Sequence, residues 1–486
     1  MSAIAQAALG MRLPTRCFSA AGTVILVGAI SVFAAVLVAL LGPLVLLLAA
    51  GAAIAPIALT RPRETFWVAA GLGLVVDTAA VGSTARITLA FWELPSSVLA
   101  LMPFKMNPFE IVIVLAAAGA AFQRSLAPVR LAPITRLVPV VLLIGLGVGI
   151  AGGGAVNLAY HEARGLLFGS FAFFVVWRTG GIEPRAAARW FVAATAILGL
   201  AVVYRFAVDL RGGTAGPSME FWFGHETGLF LTAGAFAGGL LMAKVQSHRA
   251  RALLALYVLL MVVAMLMTGR RSAILVAGAG VLTVAWLAFP RRPALLTIAA
   301  VVAALVGSFY LNAFWDAQSG PIAEPARAVR SQVDPDPRDA SSDAYRATER
   351  SNIQQTLRRS PLLGIGFGRP FTEYRPLPDL SFWPLQLYTP HQNLLWLWLK
   401  TGIAGAAVIL GTWVIAFRRC LRACSRARLA GTATPLEPIF FAATLLMYLS
   451  YARVDLAVVA ARASVPLAVV LALVLMRPWA NAEEKQ

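Results

Sequence analysis

Long apolar runs separated by short polar turns are the dominant pattern of the chain. They recur from Ala20 to Leu475, and many are about 20 residues long. At a rise of about 1.5 Å per residue, one such run crosses the roughly 30 Å of hydrocarbon in a bilayer. The pattern therefore predicts an all-α, polytopic transmembrane helix bundle of about 12–14 spans. The candidate spans lie near residues 18–40, 42–59, 66–83, 106–122, 136–152, 162–177, 187–208, 224–243, 252–267, 271–289, 294–314, 389–417, 435–452 and 456–476.

Two of these spans, 66–83 and 162–177, are the weakest, and re-entrant segments at both positions would leave about twelve spans. The composition agrees with a membrane protein, because 59% of the residues are hydrophobic and only 13% are charged. A soluble domain carries nearer a quarter charged residues. The sequence thus excludes an ordinary soluble globular protein.

The net charge of +19 comes from 41 Lys and Arg against 22 Asp and Glu. In a soluble protein such an excess would indicate nucleic-acid binding. Here every second turn is basic, as in cytoplasmic loops of membrane proteins, so no nucleic-acid partner is predicted. This orientation places both termini in the cytoplasm and the long connection 315–388 in the periplasm. The basic turns hold Arg12 and Arg16; Arg61 and Arg63; Arg124 and Arg130; Arg178, Arg185 and Arg189; Lys244, Arg249 and Arg251; Arg291 and Arg292; and residues 418–428.

The long loop 315–388 is predicted to be partly helical and functional, because loops of this length are rarely simple linkers. Its first part is rich in Pro, Asp, Ser and Ala and indicates irregular chain. Residues 344–359 contain no helix breaker, and Ser342 or Asp343 is a suitable N-cap. Pro361 ends the predicted helix, and GIGFG after it predicts a flexible turn.

Outside the long loop, ionisable residues on the predicted periplasmic side are few. Such groups are costly at membrane depth and usually face a cavity or a partner. Each has a simpler explanation by itself, since arginines at helix ends snorkel to headgroups and an interfacial histidine is often merely hydrogen-bonded. Their presence on one side of the membrane favours a site. The set comprises Arg211, His225, Glu226, Arg270, Arg271, His391 and, four residues apart on one helix face, Arg346 and Arg350.

The residue types in this set indicate their chemistry. No H-x-x-x-H or C-x-x-C motif occurs on that side, so neither a metal nor a cofactor is expected. Guanidinium groups without a metal suit a diphosphate, whose oxygens match their fork of N–H donors. Beside the outer face of a membrane, that diphosphate is most naturally the head of a lipid carrier. With His391 as a base for an attacking hydroxyl, the set predicts glycosyl transfer.

Three stretches resemble the O-antigen ligase and polymerase superfamily of bacterial polytopic glycan transferases. The first, YRATERSNIQQTLRRSPLLGIGFG, has Arg346 ahead of a P-x-x-G-x-G element. The second, HQNLLWLWLKTGIAG, has His391, then N-x-x-L and G-x-x-G. The third, TGRRSAIL, opens a span with Arg271. Two departures occur: Arg350 stands where the family often has an aromatic residue, and GHETG replaces a usual Pro-Asn.

The resemblance implies three parts: N-terminal transmembrane helices at 1–204, an O-antigen ligase-like core at 205–410, and C-terminal helices with a tail at 411–486. It also implies a metal-independent, inverting glycosyltransferase of the bacterial inner membrane, which takes a glycan from undecaprenyl diphosphate on the periplasmic face. In that family's terms, Arg346, Arg271 and Arg211 hold the diphosphate, His391 activates the acceptor, and Arg350, Asn393, Gly364 and Gly366 support them.

A polymerase of O-antigen-type or exopolysaccharide repeat units is favoured, and a ligase acting on lipid A–core is the alternative; oligosaccharyltransferases share the same donor. The implied partners are the lipid-linked donor, a glycan or lipid A–core acceptor, membrane lipids, a flippase and a chain-length regulator. A transporter or flippase for lipid-linked sugar is the alternative from another class, although no internal repeat supports it. A receptor-like or structural protein would leave the arginines and the histidine without a use.

Overall fold

The protein is described here by a computed structural model. The described residues are 53–79, 84–93, 106–123, 133–181, 184–211, 223–288, 293–317, 323–331, 333–335, 337–378, 385–432 and 434–477. Within these ranges the chain is helical, with no β-strand, which confirms the predicted all-α class. The helices are α1 (Pro62–Val75), α2 (Ala85–Trp92), α3 (Pro108–Phe122), α4 (Pro133–Arg136), α5 (Val138–Ala151), α6 (Val156–Arg178), α7 (Pro184–Arg211), α8 (Thr227–Met242), α9 (His248–Met267), α10 (Arg271–Ala288), α11 (Pro293–Phe314), α12 (Glu324–Arg330), α13 (Pro337–Arg359), α14 (Asn393–Leu429), α15 (Leu436–Ala452) and α16 (Ala461–Met476).

Five described helical segments are long and apolar enough to cross a membrane, and the chain is a multi-pass membrane protein. They are Pro133–Ala151, Ala186–Val208, His248–Met267, Arg271–Ala288 and Asn393–Leu429. Shorter apolar helices are found at Pro108–Phe122, Thr227–Met242, Ala300–Phe314, Leu436–Ala452 and Ala461–Met476. The predicted span 18–40 lies outside the described residues, and 42–59 is described only from residue 53.

The predicted span 66–83 is wrong in its extent, because α1 ends at Val75. Just beyond, the Asp77 carboxylate accepts hydrogen bonds from the backbone N–H groups of Ala79 (3.0 Å) and Gly224 (2.6 Å). A carboxylate that binds nearby backbone donors competes with the helical hydrogen-bond pattern. At the predicted part boundaries, α7 and α14 continue without interruption past residues 204 and 410.

The long loop contains more helix than the sequence predicted. Its first part, predicted to be irregular, holds α12, and α13 begins at Pro337 rather than near Ala344. Neither Ser342 nor Asp343 is therefore the N-cap. Proline is favoured in the first helical turn because its fixed φ suits the helix and its missing N–H is not needed there. Asp339 in that turn also complements the positive end of the helix dipole.

The turn after α13 is tightly packed, which corrects the prediction of a flexible GIGFG segment. Gly364 and Gly366 have φ angles of +67° and +78°, which favour glycine. The N–H of Ile365 donates to the Leu399 carbonyl on α14 (2.7 Å), and the N–H of Phe367 donates to the Gly145 carbonyl on α5 (3.1 Å). A Cβ on Gly366 would collide with the backbone of α5. The turn is thus a wedge between two transmembrane helices.

Helix α14 is broken at Gly402, where φ is +70° and ψ is 174°. The backbone of Leu362, in the segment after α13, fills the space beside this break and accepts a hydrogen bond from the N–H of Ile403 (3.2 Å). A helix that loses its internal hydrogen bonds needs such external partners. The segment before the break, which carries the start of α14, is therefore held by the loop rather than by the rest of its own helix.

A buried ion pair fixes the same wedge to α6. The Lys400 ammonium lies 2.6 Å from a Glu162 carboxylate oxygen, and both side chains are fully buried. Lys400 also donates to the Arg369 carbonyl (2.5 Å), and the other Glu162 oxygen accepts from the N–H of Gly368. Each charge thus has a partner of opposite sign and a backbone hydrogen bond, as burial requires.

Two glycines of α5 provide a matched test of this packing. A Cβ on Gly149 would meet the backbone of Phe367, whereas a Cβ on Gly147 would have nothing within 4 Å. We expect Gly149→Ala to lower the thermal unfolding temperature of the detergent-solubilised protein. Gly147→Ala should leave that temperature unchanged or raise it slightly, since Ala is the better helix former by about 1 kcal/mol. Equal unfolding temperatures for the two variants would contradict the described contact.

The ion pair predicts a second pattern of stability. Lys400→Met leaves the Glu162 carboxylate buried without its cation and should cost about 3–5 kcal/mol of unfolding free energy. Adding Glu162→Gln removes the uncompensated charge and should restore part of that loss. Thermal unfolding of the single and double variants measures both effects. A double variant less stable than Lys400→Met would show that the pair does not act as described.

Candidate active site

The site is built where the C-terminal half of α13 meets the N-terminal end of α14. Glu349, a fully buried residue of α13, places one carboxylate oxygen 3.0 Å from the backbone N of His391 and the other 3.3 Å from its Nδ1. Two contacts to one residue fix both the backbone and the ring. The carboxylate is thus satisfied by His391, and the histidine is oriented by a residue from another element.

This geometry selects the tautomer of His391. A carboxylate accepts hydrogen bonds, so we assign the proton of the neutral ring to Nδ1, which leaves the basic lone pair on Nε2. The ring of Tyr345, one turn before Glu349, packs edge-on against the imidazole with centroids 5.8 Å apart. Burial and the neighbouring Glu349 raise the pKa of Tyr345 to about 12, so its hydroxyl stays protonated near neutral pH.

Asn393, the first residue of α14, anchors the histidine segment from the other side. Its buried side-chain oxygen accepts a hydrogen bond from the backbone N–H of Val458 (2.9 Å), in the connection between α15 and α16. Its amide donates to the carbonyl of Pro390 (3.3 Å). Asn393 therefore holds the chain around His391 in place, and its own polar atoms face protein.

Arg271 opens α10, as the sequence predicts, and binds the first half of α13. Its guanidinium lies 3.2 Å from Asp339 and 3.8 Å from Asp343, and it donates to the Ser331 hydroxyl (3.1 Å). Asp339 also binds Arg327 (3.0 Å). Arg271 is thus an anchor for α13 as well as a cation at its edge.

Arg346 lies between these two contacts. Three residues correspond to about 300° of helical rotation, so residues three before and three after Arg346 flank it by roughly 60° on either side. Those residues are Asp343, which contacts Arg271, and Glu349, which contacts His391. Arg271, Arg346 and His391 therefore follow one another across a single face of α13. Arg346 is half-buried and has no hydrogen bond or ion pair to another described residue.

The remaining predicted residues have different surroundings. Arg350 is exposed one turn after Arg346 and, like it, makes no ion pair within the described ranges. Arg211 is the last residue of α7, and its side chain lies outside the described part of the structure. Gly364 and Gly366 belong to the wedge between α5 and α14. No group of three or more His, Cys, Asp or Glu side chains is placed to hold a metal ion among the described residues.

The acidic residues that position the site were not predicted from the sequence. Glu349 and Asp339 are unremarkable in a polar helix, because their importance depends on burial and on partners far along the chain. Lys400 and Glu162 could have been singled out from the sequence, because a charged residue within an apolar stretch usually has a functional or structural partner. That signal does not say which charge pairs with which.

Comparison with known protein families matches residues 256–410 to the family described as O-antigen ligase. The matched region begins within α9 and contains Arg271, all of α13, the wedge and His391. A search among curated proteins finds no match. The resemblance predicted from the three motifs is thereby confirmed, and this helical membrane protein carries a region, residues 256–410, that matches the O-antigen ligase family.

Proposed function

We propose that this protein transfers a glycan from undecaprenyl diphosphate to an acceptor hydroxyl at the periplasmic face of the bacterial inner membrane. The observation that carries the proposal is the order of Arg271, Arg346 and His391 across one face of α13. Two cations for a diphosphate thus stand beside one base for a nucleophile. The family match supports glycan transfer in general.

Arg346 is the main ligand of the donor diphosphate in this proposal. A guanidinium presents five N–H donors, stays charged at all working pH values and binds phosphate oxygens in pairs. Because no described residue neutralises Arg346, its charge is available to a ligand. The charge of Arg271 is partly balanced by Asp339 and Asp343. Arg271 therefore attracts the diphosphate less strongly than Arg346 and serves more to orient it. Arg211 and Arg350 are proposed as additional contacts at the edge of the head group.

His391 is the proposed general base. Nε2 accepts the proton of the acceptor hydroxyl while the oxygen attacks the anomeric carbon from the side opposite the diphosphate, which inverts the configuration. The carbon–oxygen bond to the diphosphate breaks, and its electron pair stays on the phosphate oxygen that the arginines stabilise. Glu349 stabilises the imidazolium that forms and holds the ring in place. No step in this scheme uses a metal ion.

Among members of this superfamily, we favour a polymerase that joins repeat units of an O-antigen-type or exopolysaccharide. The acceptor is then a second lipid-linked glycan, and a flippase and a chain-length regulator are the expected partners. A ligase that uses lipid A–core as acceptor would employ the same arginines and histidine. The two would differ in the acceptor that approaches His391.

Chain growth on a defined lipid-linked oligosaccharide tests the reaction class. Membranes containing the protein should convert the donor into longer saccharides, and a chelator should not reduce the rate. His391→Ala should lower the rate by about 10²–10⁴-fold, the usual contribution of a general base. His248→Ala, at the start of α9 and away from the site, is the matched control.

Full activity of His391→Ala would exclude the base role, and a rate abolished by chelator would exclude metal independence. Transfer to added lipid A–core without chain growth would identify a ligase.

Glu349 and Arg346 lie on one helix but should affect different kinetic constants. Glu349→Gln keeps a hydrogen-bonding group but removes the charge that stabilises imidazolium, so kcat should fall about 10–100-fold with little change in the KM for the donor. Arg346→Lys removes the paired N–H contacts to phosphate and should raise that KM as well. Gln354→Ala, an exposed change on the same helix, is the control. The same loss of kcat and unchanged KM in both variants would contradict these separate roles.

A further inference from the structure

A second histidine–carboxylate pair lies outside the elements used so far. His225 precedes α8, and its Nδ1 lies 2.9 Å from a carboxylate oxygen of Asp455, in the connection between α15 and α16. The same nitrogen lies 3.1 Å from Nη1 of Arg270. Nδ1 can either accept a hydrogen bond from Arg270 or donate one to Asp455; we assign its proton to the shorter contact, with the ionised carboxylate, so the contact with Arg270 is not a hydrogen bond in this tautomer. Among the described residues, no hydrogen bond uses His225 Nε2.

The environment keeps Asp455 ionised and His225 accessible. Burial opposes the charge of Asp455, but the nearby His225 and Arg270 together with the N–H of Leu456 hold the pKa of its carboxyl well below the usual range. The His225 side chain is 45% exposed, whereas that of Asp455 is 5% exposed. A fixed, buried carboxylate therefore holds a ring that is about half exposed.

This pair is connected to the candidate active site at both ends. On one side, Arg270 immediately precedes Arg271, the residue that anchors α13. On the other side, Asp455 lies three residues before Val458, whose N–H binds Asn393 at the start of the His391 helix. The connection 453–460 thus contacts both histidine segments.

A buried network makes the position of His225 rigid. Its neighbour Glu226 accepts a hydrogen bond from the fully buried Arg462 of α16 (3.0 Å). Arg462 also donates to the Gly73 and Leu74 carbonyls at the end of α1, both at 3.1 Å. The backbone N–H of Gly224, just before His225, donates to Asp77 (2.6 Å). The residues on both sides of His225 are consequently held in place, while its own side chain remains partly exposed.

We propose that His225 is a second catalytic residue, which binds a phosphate oxygen of the lipid-linked donor through Nε2–H and protonates it as the sugar leaves. The inference rests on the proposed glycan transfer. In the full step, the acceptor hydroxyl proton moves to His391 Nε2, and the acceptor oxygen bonds to the anomeric carbon. The carbon–phosphate oxygen bond breaks with its electrons on oxygen, and a proton passes from His225 to the diphosphate. Exchange with water then returns both rings to their starting states.

The proton affinities suit this exchange. A terminal phosphate takes up its last proton near pH 6, and imidazole titrates in the same range, so transfer between them needs little driving force. Arginine cannot perform this step, because it does not release its proton in proteins. Arg270 and Arg271 therefore supply charge, while His225 adds the transferable proton that neither arginine can give.

The titratable and charged groups around His225, within the described residues, come from several elements. Asp455 and Arg270 contact the ring directly. Glu226, the next residue, is occupied by Arg462. Tyr451, at the end of α15, is fully buried behind Asp455 and Arg270. Of these, only Asp455 and Arg270 act on His225 directly, and neither changes charge between pH 5 and 8.

The test compares His225→Gln with His248→Gln in the chain-growth assay across pH. Gln can donate a hydrogen bond but cannot transfer a proton. We expect His225→Gln to lower kcat about 10²-fold and to remove the decline of activity on the alkaline side of the wild-type profile. His248→Gln should match the wild type. Asp455→Asn, which weakens the orientation of the ring, should give a smaller loss in the same direction. Unfolding temperatures check that each variant is folded.

Inhibition by inorganic diphosphate gives a second readout that does not depend on proton transfer to the donor. Under acidic conditions, where His225 carries its second proton, diphosphate should inhibit the wild type more strongly than His225→Gln, and the difference should shrink as the pH is raised. Wild-type chain growth combined with His225→Gln behaving as the wild type in both assays would overturn the inference and leave the proposed function standing. Absence of wild-type chain growth would instead overturn the proposed function.

Discussion

The hydrogen bonds between Glu349 and His391 are the interaction on which the site depends. A carboxylate removed from water must find donors, and here both come from one residue of another helix. That requirement brings the polar helix α13 against the start of α14. It also sets the distance between the base and Arg346, because Arg346 and Glu349 belong to the same rigid helix. The hydrogen bonds of Glu349 thus both orient His391 and hold the long loop against the start of α14.

The same requirement explains how the loop is joined to the transmembrane helices. Glu162 and Lys400 lie in apolar surroundings where an unpaired charge would be very unfavourable, and their pairing fixes α6 to α14. The backbone at Gly368 and Arg369 completes their hydrogen bonding, so the wedge after α13 is held by the ion pair. Glycines at 364, 366 and 402 then permit the close backbone contacts that side chains would prevent.

Much of this architecture could be predicted from the sequence, because the signals are local. Apolar runs indicate helices, a proline and three glycines mark the wedge, and Arg271 and His391 stand near the starts of helices. The missing parts depend on distant partners. Glu349 and His391 are 42 residues apart, and nothing in their immediate neighbours indicates that they meet. The wedge was predicted to be flexible because glycine permits motion in isolation, whereas here the same residues allow dense packing.

The buried guanidinium of Arg462 has a consequence for how the protein is assembled. Arg462 belongs to α16, near the end of the described chain. Its guanidinium nevertheless donates hydrogen bonds to carbonyls at the end of α1 and forms an ion pair with Glu226, next to His225. During synthesis, the carboxylate of Glu226 must wait for α16 before Arg462 balances its charge, whereas Asp77 also has Arg205 of α7 as an earlier partner (4.0 Å). The segment around His225 therefore reaches its final arrangement late in biogenesis, and a nascent chain that stops before residue 461 would leave Glu226 without the guanidinium that balances it.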